Sequence, residues 1–450
     1  MKKSLMVFGT FIVLATVSCS KNDAIETIEA PEVDLVNVLS KNTVAQEDTV
    51  IFKAKATEGS AFAWFVDGKA AAASDSIFTF VSNELGEHTV AVTANRNDKN
   101  ASSQTSVTVY GKYKYGTFVL NEGNMTTENG SLTFISPTGV VTDSAYFKVN
   151  GSELGNVTQD LYIQNNKLYI ISQNGKKSAS TTTYANDGLL VVANAETLKK
   201  EAAYNTELAA LKTPTHVAVF NAENVIIRDN NGLSRFNTTT KTLTFIKGSK
   251  SAAKNTMAVS NNKIFAAAGA KVYVIEPNKD SITYALDMKA SVTGVVKASD
   301  GNIWVTTTGS PAKISKINYQ DYSLIKANNI TVGSLSAGFD LATPSITAKS
   351  DTLYFTGATT KIYRHIFSTG ATELMVDAKT MVENAGILYN NIAVHPLTGE
   401  VYMNTIKAFG WDYLINNISV FNFSNGINLS ANYKNYTNFP AGTFFTYNYN

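Results

Sequence analysis

Trp411 stands between Phe409 and Tyr413 in the stretch Lys407-Ala408-Phe409-Gly410-Trp411-Asp412-Tyr413, which lacks the alternation of a strand. Three rings on one loop suit stacking against the flat apolar face of a bound molecule. Other segments carry groups of a different kind. Asn121, Glu122 and Asn124 lie in Asn121-Glu122-Gly123-Asn124-Met125, and Gln159 in Thr158-Gln159-Asp160. Arg228 and Asp229 open Arg228-Asp229-Asn230-Asn231. Amides donate and accept at once, so this set fits a neutral, polar ligand with flat faces. Asn and Asp are also what β-turns require, and any single loop asparagine is read first as turn chemistry. Trp411 has no such explanation.

Catalysis finds little support. His216, His365 and His395 are dispersed with no metal-ligand spacing, and no nucleophile elbow, phosphate loop or paired-carboxylate motif is present. The expectation is a binding protein and not an enzyme, with no catalytic residue, no metal and no cofactor beyond a captured ligand. A net charge of +2, with no dense Lys/Arg cluster past the N-terminus, argues against nucleic acid as a partner.

The elements that must position these residues follow from composition and period. At 450 residues the chain exceeds one ordinary core. Charged residues make up only 16%, against 21 Tyr and 23 Phe, which suits an all-β protein with Thr, Ser and Asn on its exposed strand positions. Lys2 and Lys3 precede an apolar run from Leu5 to Val17 that ends in Ser18-Cys19-Ser20. That is the pattern of a secretory signal. Cys19, the single cysteine, falls where a bacterial lipoprotein carries its lipid, although Thr16 occupies a position where Leu is usual. The expectation is therefore a signal peptide over 1–19 with lipidation at Cys19, a polar tether over 20–31, and membrane attachment through the lipid alone.

Residues 32–110 alternate as short strands. Trp64 in Ala61-Phe62-Ala63-Trp64-Phe65-Val66-Asp67-Gly68, and the run Gly86-Glu87-His88-Thr89-Val90-Ala91-Val92-Thr93, resemble PKD and related immunoglobulin-like sandwiches. Trp64 reads as a core residue and His88 as a strand-surface residue. From 112 to 450 a turn followed by an apolar strand recurs, as in Asn166-Lys167-Leu168-Tyr169-Ile170-Ile171, Asn262-Lys263-Ile264-Phe265-Ala266 and Gly301-Asn302-Ile303-Trp304-Val305. Four strands per unit, repeating at roughly 40 to 50 residues, indicate propeller blades. The unit beginning Gly116-Thr117-Phe118 lacks a first strand, and Pro440-Ala441-Gly442-Thr443-Phe444-Phe445 is suited to supply it. The fold expected is all-β, a sandwich followed by a seven-bladed β-propeller; insertions blur the spacing enough that six or eight blades stay open.

Phe118-Val119-Leu120-Asn121-Glu122-Gly123-Asn124, followed by Gly130-Ser131-Leu132-Thr133-Phe134, resembles the opening blade of Bacteroidota propeller lipoproteins of the YncE-like or DUF5074 kind. The BtuG-type members capture cobalamin and other corrinoids above a TonB-dependent outer-membrane transporter. The resemblance implies a cell-surface protein, lipid-anchored in the outer membrane, that binds a corrinoid through Asn121, Glu122, Asn124, Gln159, Arg228, Asp229, Trp411 and Tyr413. Asp143-Ser144-Ala145 and four similar tripeptides resemble the O-glycosylation acceptor of exported Bacteroidota proteins. The alternative expectation is an adhesion or scaffold propeller that binds a glycan or a protein.

Overall fold

A computed structural model describes residues 29–176, 185–336, 343–390 and 392–446. The expected signal peptide, Cys19 and most of the tether lie outside the described residues. The chain forms two compact units, one ending at Val109 and the other beginning at Tyr110.

The first unit is a β-sandwich. Val33–Asn37, Val50–Ala56 and Ile77–Phe80 form one sheet. Thr43–Ala45, Lys99–Tyr110, Gly86–Arg96, Ala61–Val66 and Lys69–Ala70 form the other. Period-2 alternation sends Val90, Val92 and Ala94 inward, against Phe52, Trp64 and Phe80. Trp64 is 1% exposed, donates its indole N–H to the Asp75 carbonyl at 2.8 Å and stacks on Phe78 with ring centres 5.0 Å apart. His88 departs from the sequence expectation of a surface position. It is buried, with Nδ1 2.8 Å from the Asp67 carboxylate and Nε2 2.9 Å from the Glu84 carbonyl. The bond to Asp67 raises its pKa.

The second unit is a propeller of seven blades, each a four-stranded antiparallel sheet. The innermost strand of the seventh is split into Ile387–Leu388 and Ala393–Val394, both paired with Val401–Ile406. Blade 1 takes its innermost strand from the C-terminal segment Pro440–Phe445, which pairs antiparallel with Thr117–Asn121, Gly442 opposite Leu120 and Phe445 opposite Thr117. The other innermost strands are Asn156–Gln164, His216–Asn221, Ala258–Ser260, Val292–Lys297 and Ile346–Lys349.

Both faces of each blade are covered by neighbours, which explains why the second strands read as unbroken apolar runs. Along Lys167–Asn174, Leu168 and Ile170 pack toward Phe118 and Phe134 of blade 1. Tyr169 and Ile171 face Val217, Val225 and Phe236 of blade 3. Similar apolar seams join every later pair of blades, and the last unites Tyr402, Ile418 and Val420 of blade 7 with Val119, Ile135 and Phe445 of blade 1.

Nearer the axis the seams turn polar. The Thr158 hydroxyl donates to the Asn121 carbonyl from blade 2 to blade 1. The Asn390 amide donates to the Pro440 carbonyl at 2.9 Å from blade 7 to blade 1. Asp160, 2% exposed, accepts from its neighbour Leu161 N–H at 2.9 Å and from the Val217 N–H of blade 3 at 3.1 Å. Burial pushes its carboxyl up to about 7, and the two amide bonds only partly offset that. A folded-state pKa raised above the unfolded value gives a contribution fully present below about pH 4 and lost as pH rises toward the folded value. The wild type should therefore lose thermal stability relative to Asp160→Asn as pH rises from about 4 to about 7. A difference between the two melting midpoints that does not change with pH would contradict this placement of the charge.

Candidate functional site

In an antiparallel four-stranded blade, the loop between the second and third strands lies at the same end as the connection to the next blade. On this face the loops are unequal. In blades 3 and 4 they are tight turns, 230–231 and 269–270. In blade 1 the loop runs over 122–130 and in blade 7 over 407–415, and in blade 2 the segment between Asn174 and Leu190 is described at 175–176 and 185–189. Around the closed ring these three blades are consecutive, so the long loops gather on one sector.

Side-chain bonds lock the sector together. Tyr413, 1% exposed, stacks on Phe439 with ring centres 4.2 Å apart and donates to Glu128 Oε1 at 3.3 Å. Glu128 Oε2 accepts from the Asn438 amide at 3.1 Å. Burial and the nearby Glu128 carboxylate raise the Tyr413 phenol, which keeps it a proton donor. The Tyr389 hydroxyl donates to Glu122 Oε2 at 3.2 Å. Toward blade 2, Asn156 donates to the Glu128 carbonyl at 2.6 Å, and Asn186 donates to Asn129 Oδ1 at 3.0 Å.

The residues singled out in the sequence take distinct places. Asn121 is 1% exposed; its amide donates to Ser131 and Thr133, each at 3.2 Å, and its oxygen accepts from the Asn438 N–H. Asn124 closes its own turn by accepting from the Thr126 N–H and hydroxyl. Asp229 is buried in the blade 3 turn, accepting from Lys212 and Asn231 backbone N–H groups and from the Asn231 amide. Asn124 stays partly exposed on its own turn, whereas Asn121 and Asp229 hold the scaffold and present no free bonding group, being buried under partners well removed in sequence. Tyr413 is likewise a buried strut, not an exposed ring. Gln159 is buried, and among the described residues its side-chain carbonyl oxygen has no partner. Arg228, half-buried on blade 3, donates to the Ala252 carbonyl, the Thr215 hydroxyl and Asn230 Oδ1. Trp411 is the one residue of the set that is open, 74% exposed on the short 3-10 helix Gly410–Leu414. Phe409 and Leu414 on the same loop, and Met125 on the blade 1 loop, are exposed beside it in sequence or across the Tyr413–Glu128 contact.

A cleft of about 530 Å³ opens above the outer part of blade 1. The blade 1 loop, the helix-bearing connection to blade 2 and the segment arriving from blade 7 line it. Glu128, Asn129, Glu153, Tyr436 and Asn438 were not identified from sequence, because they fall in connections whose convergence depends on ring closure. The one readable signal was the pair of glycines framing the blade 1 loop. Behind the cleft, Asp187 accepts from the Tyr146 and Ser152 hydroxyls and from Lys200, at 2.7, 2.6 and 2.6 Å. Burial alone would raise that carboxyl, but these donors outweigh it and hold it low. Among the described residues no group of His, Cys, Asp and Glu is arranged to hold a metal.

The family described as Domain of unknown function (DUF5074) matches residues 115–446, and the PKD domain matches residues 34–109. No curated protein matches the chain. Among solved structures, a quinonprotein alcohol dehydrogenase-like protein from Bacteroides thetaiotaomicron is similar over 90% of this chain and 96% of its own, with a TM-score of 0.54 at 14% identity. BamB from Moraxella catarrhalis is similar over 73% of this chain and 86% of its own, with a TM-score of 0.43 at 9% identity. The first likeness shows the fold alone.

At Gly130 the blade 1 loop packs against the loop that leads into blade 2 and against the innermost strand of that blade. A Cβ there would lie 2.3 Å from Thr158 Cγ2 and 2.9 Å from the Gly155 carbonyl oxygen. Thr158 is pinned by its bond to Asn121 and cannot swing aside without losing it. Gly130→Ala should therefore destabilise the protein by roughly 1–3 kcal/mol in denaturant titration, as overpacking does. An unchanged midpoint would mean that the two loops are not locked.

Proposed function

The chain belongs to the DUF5074 family, and on that premise we propose that it is a surface lipoprotein whose propeller captures cobalamin or another corrinoid for delivery to a TonB-dependent outer-membrane transporter. The lipid at Cys19 is the proposed anchor, with the sandwich as the spacer between membrane and propeller. The observation that carries the reading is Trp411, a large ring left 74% exposed on a loop that is itself firmly tied to blade 1. An exposed aromatic on a held loop costs little ordering on binding and offers a flat contact area.

A corrinoid is a broad, flat ring fringed with amide arms, so the reading needs an open face more than a deep cavity. Trp411, with Phe409 and Met125, would cover part of the ring. Glu122 and Asn124, both partly exposed, lie on the adjacent blade 1 loop within reach of peripheral groups. Asn121 and Tyr413 serve the same site from beneath, by fixing that loop. Arg228, half-buried on blade 3, would meet only a ligand that reaches past blade 2, and the buried Asp229 would act by holding the turn beside it.

Titration calorimetry with cyanocobalamin tests the proposal. Tight one-to-one binding is expected, weakened by Trp411→Ala by roughly 1–3 kcal/mol, the range of an aromatic anchor, with the melting curve unchanged. Binding unaffected by that substitution would remove Trp411 from the site. No heat at micromolar ligand would leave adhesion to a glycan or a protein as the better account.

A further inference from the structure

The cleft above blade 1 is a separate place from the aromatic rim, since neither Phe409, Trp411 nor Met125 lines it. Among the described residues its walls carry three carboxylates, Glu128, Asp143 and Glu153, and no Lys, Arg or His. Among the described residues none of the three forms an ion pair. Instead their partners are neutral: Asn129 donates to Glu153 at 2.5 Å, Asn438 and Tyr413 to Glu128, and the Ser144 hydroxyl to Asp143 at 3.3 Å. These bonds engage one oxygen of Glu153 and one of Asp143 and both oxygens of Glu128, and every carboxylate oxygen has a second lone pair, so accepting capacity is left on each group.

A second observation is independent of the acids. Thr437 lines the cleft and is 3% exposed, yet among the described residues its hydroxyl has no hydrogen-bond partner. The backbone that carries it is held on both sides. Its backbone N–H donates to Asn416 Oδ1 at 3.1 Å, and its carbonyl accepts from the Asn416 amide at 2.6 Å. A buried hydroxyl left unpaired is unfavourable unless something enters to bond it. Two rings complete the lining: Tyr436, 38% exposed on the segment entering blade 1, and Phe147, 49% exposed on the helix Ala145–Asn150 that follows it.

Acceptors in excess, one hydroxyl wanting a partner and exposed ring faces define a ligand class. It must be rich in donors, able to accept as well, and apolar on at least one flat face. A metal ion is disfavoured by the spacing of the acids. A simple ammonium compound would answer the carboxylates and could donate to the Thr437 oxygen, but it would leave that hydroxyl's own proton without an acceptor. A pyranose meets every requirement, because each hydroxyl donates and accepts while the C–H face of the ring packs on an aromatic side chain. The volume of about 530 Å³ falls within the range of small-molecule sites. We propose that this cleft is a saccharide-binding site for a mono- or disaccharide, distinct from the rim around Trp411 and independent of the corrinoid reading.

The test is calorimetric titration of the full chain with glucose, galactose, mannose, N-acetylglucosamine, maltose and cellobiose, and in parallel with spermidine. At least one sugar is expected to bind saturably at millimolar concentration or below. Glu153→Gln and Tyr436→Ala should each weaken it at least about tenfold. Both side chains reach solvent, so an unchanged melting curve will show that the variants are folded. Trp411→Ala should leave sugar binding unaltered, which separates this site from the rim. Saturable spermidine binding with no sugar bound would make the cleft a cation site and overturn the proposal. So would the absence of any saturating sugar, or sugar binding indifferent to both cleft substitutions.

Discussion

The pairing of Pro440–Phe445 with Thr117–Asn121 holds the propeller together. It joins the two ends of the domain in one sheet, so that the first strand in sequence is not left as an open edge. The hydrogen-bonded register also sets where Phe445 enters the seam between blades 7 and 1, against Tyr402 at 5.2 Å and His395 at 4.9 Å between ring centres. Without this strand, blade 1 would have no inner edge for Asn390 to bond. The segment 435–439 would then have no fixed position over the blade 1 loop.

The rest of the functional face follows from that closure. Asn438 and Phe439 come just before the closing strand, and they are the residues that receive Glu128 and Tyr413. The loops of blades 7 and 1 are thus held to each other by the same turn that delivers the last strand. The loops of blades 1 and 2 are joined by asparagine side chains and by backbone approaches that only glycine allows. Rigidity beneath the site is what permits an exposed tryptophan and a polar cleft to coexist without collapsing onto one another.

Much of this architecture was legible in the sequence. Unbroken apolar strands such as Leu168–Ile171 mark blades covered on both faces, and the blade lacking a first strand pointed to the chain end for its completion. Trp64 was read as core and lies in the core. The exposed position of Trp411 matched its failure to fit any strand pattern. What the sequence could not separate was a loop asparagine that binds a ligand from one that binds the backbone. Asn121 and Asp229 have the same chemistry in either role, and their burial is decided by Asn438 and Lys212, partners remote along the chain. His88 was misread for the same reason, since Asp67 reaches it from a neighbouring strand turn. The cleft escaped notice because Glu128, Glu153 and Tyr436 belong to three different connections that meet only once the ring is closed.

In the proposed function a ligand is held on the face over blades 7, 1 and 2, by loops already tied to one another before it arrives. Hydrogen–deuterium exchange of the full chain with and without cyanocobalamin tests that claim most directly. Slowed exchange confined to peptides covering 122–130 and 407–415, with the turns at 165–166 and 222–223 on the opposite face unchanged, is the predicted result. Protection on the opposite face, or none anywhere at saturating ligand, would contradict it.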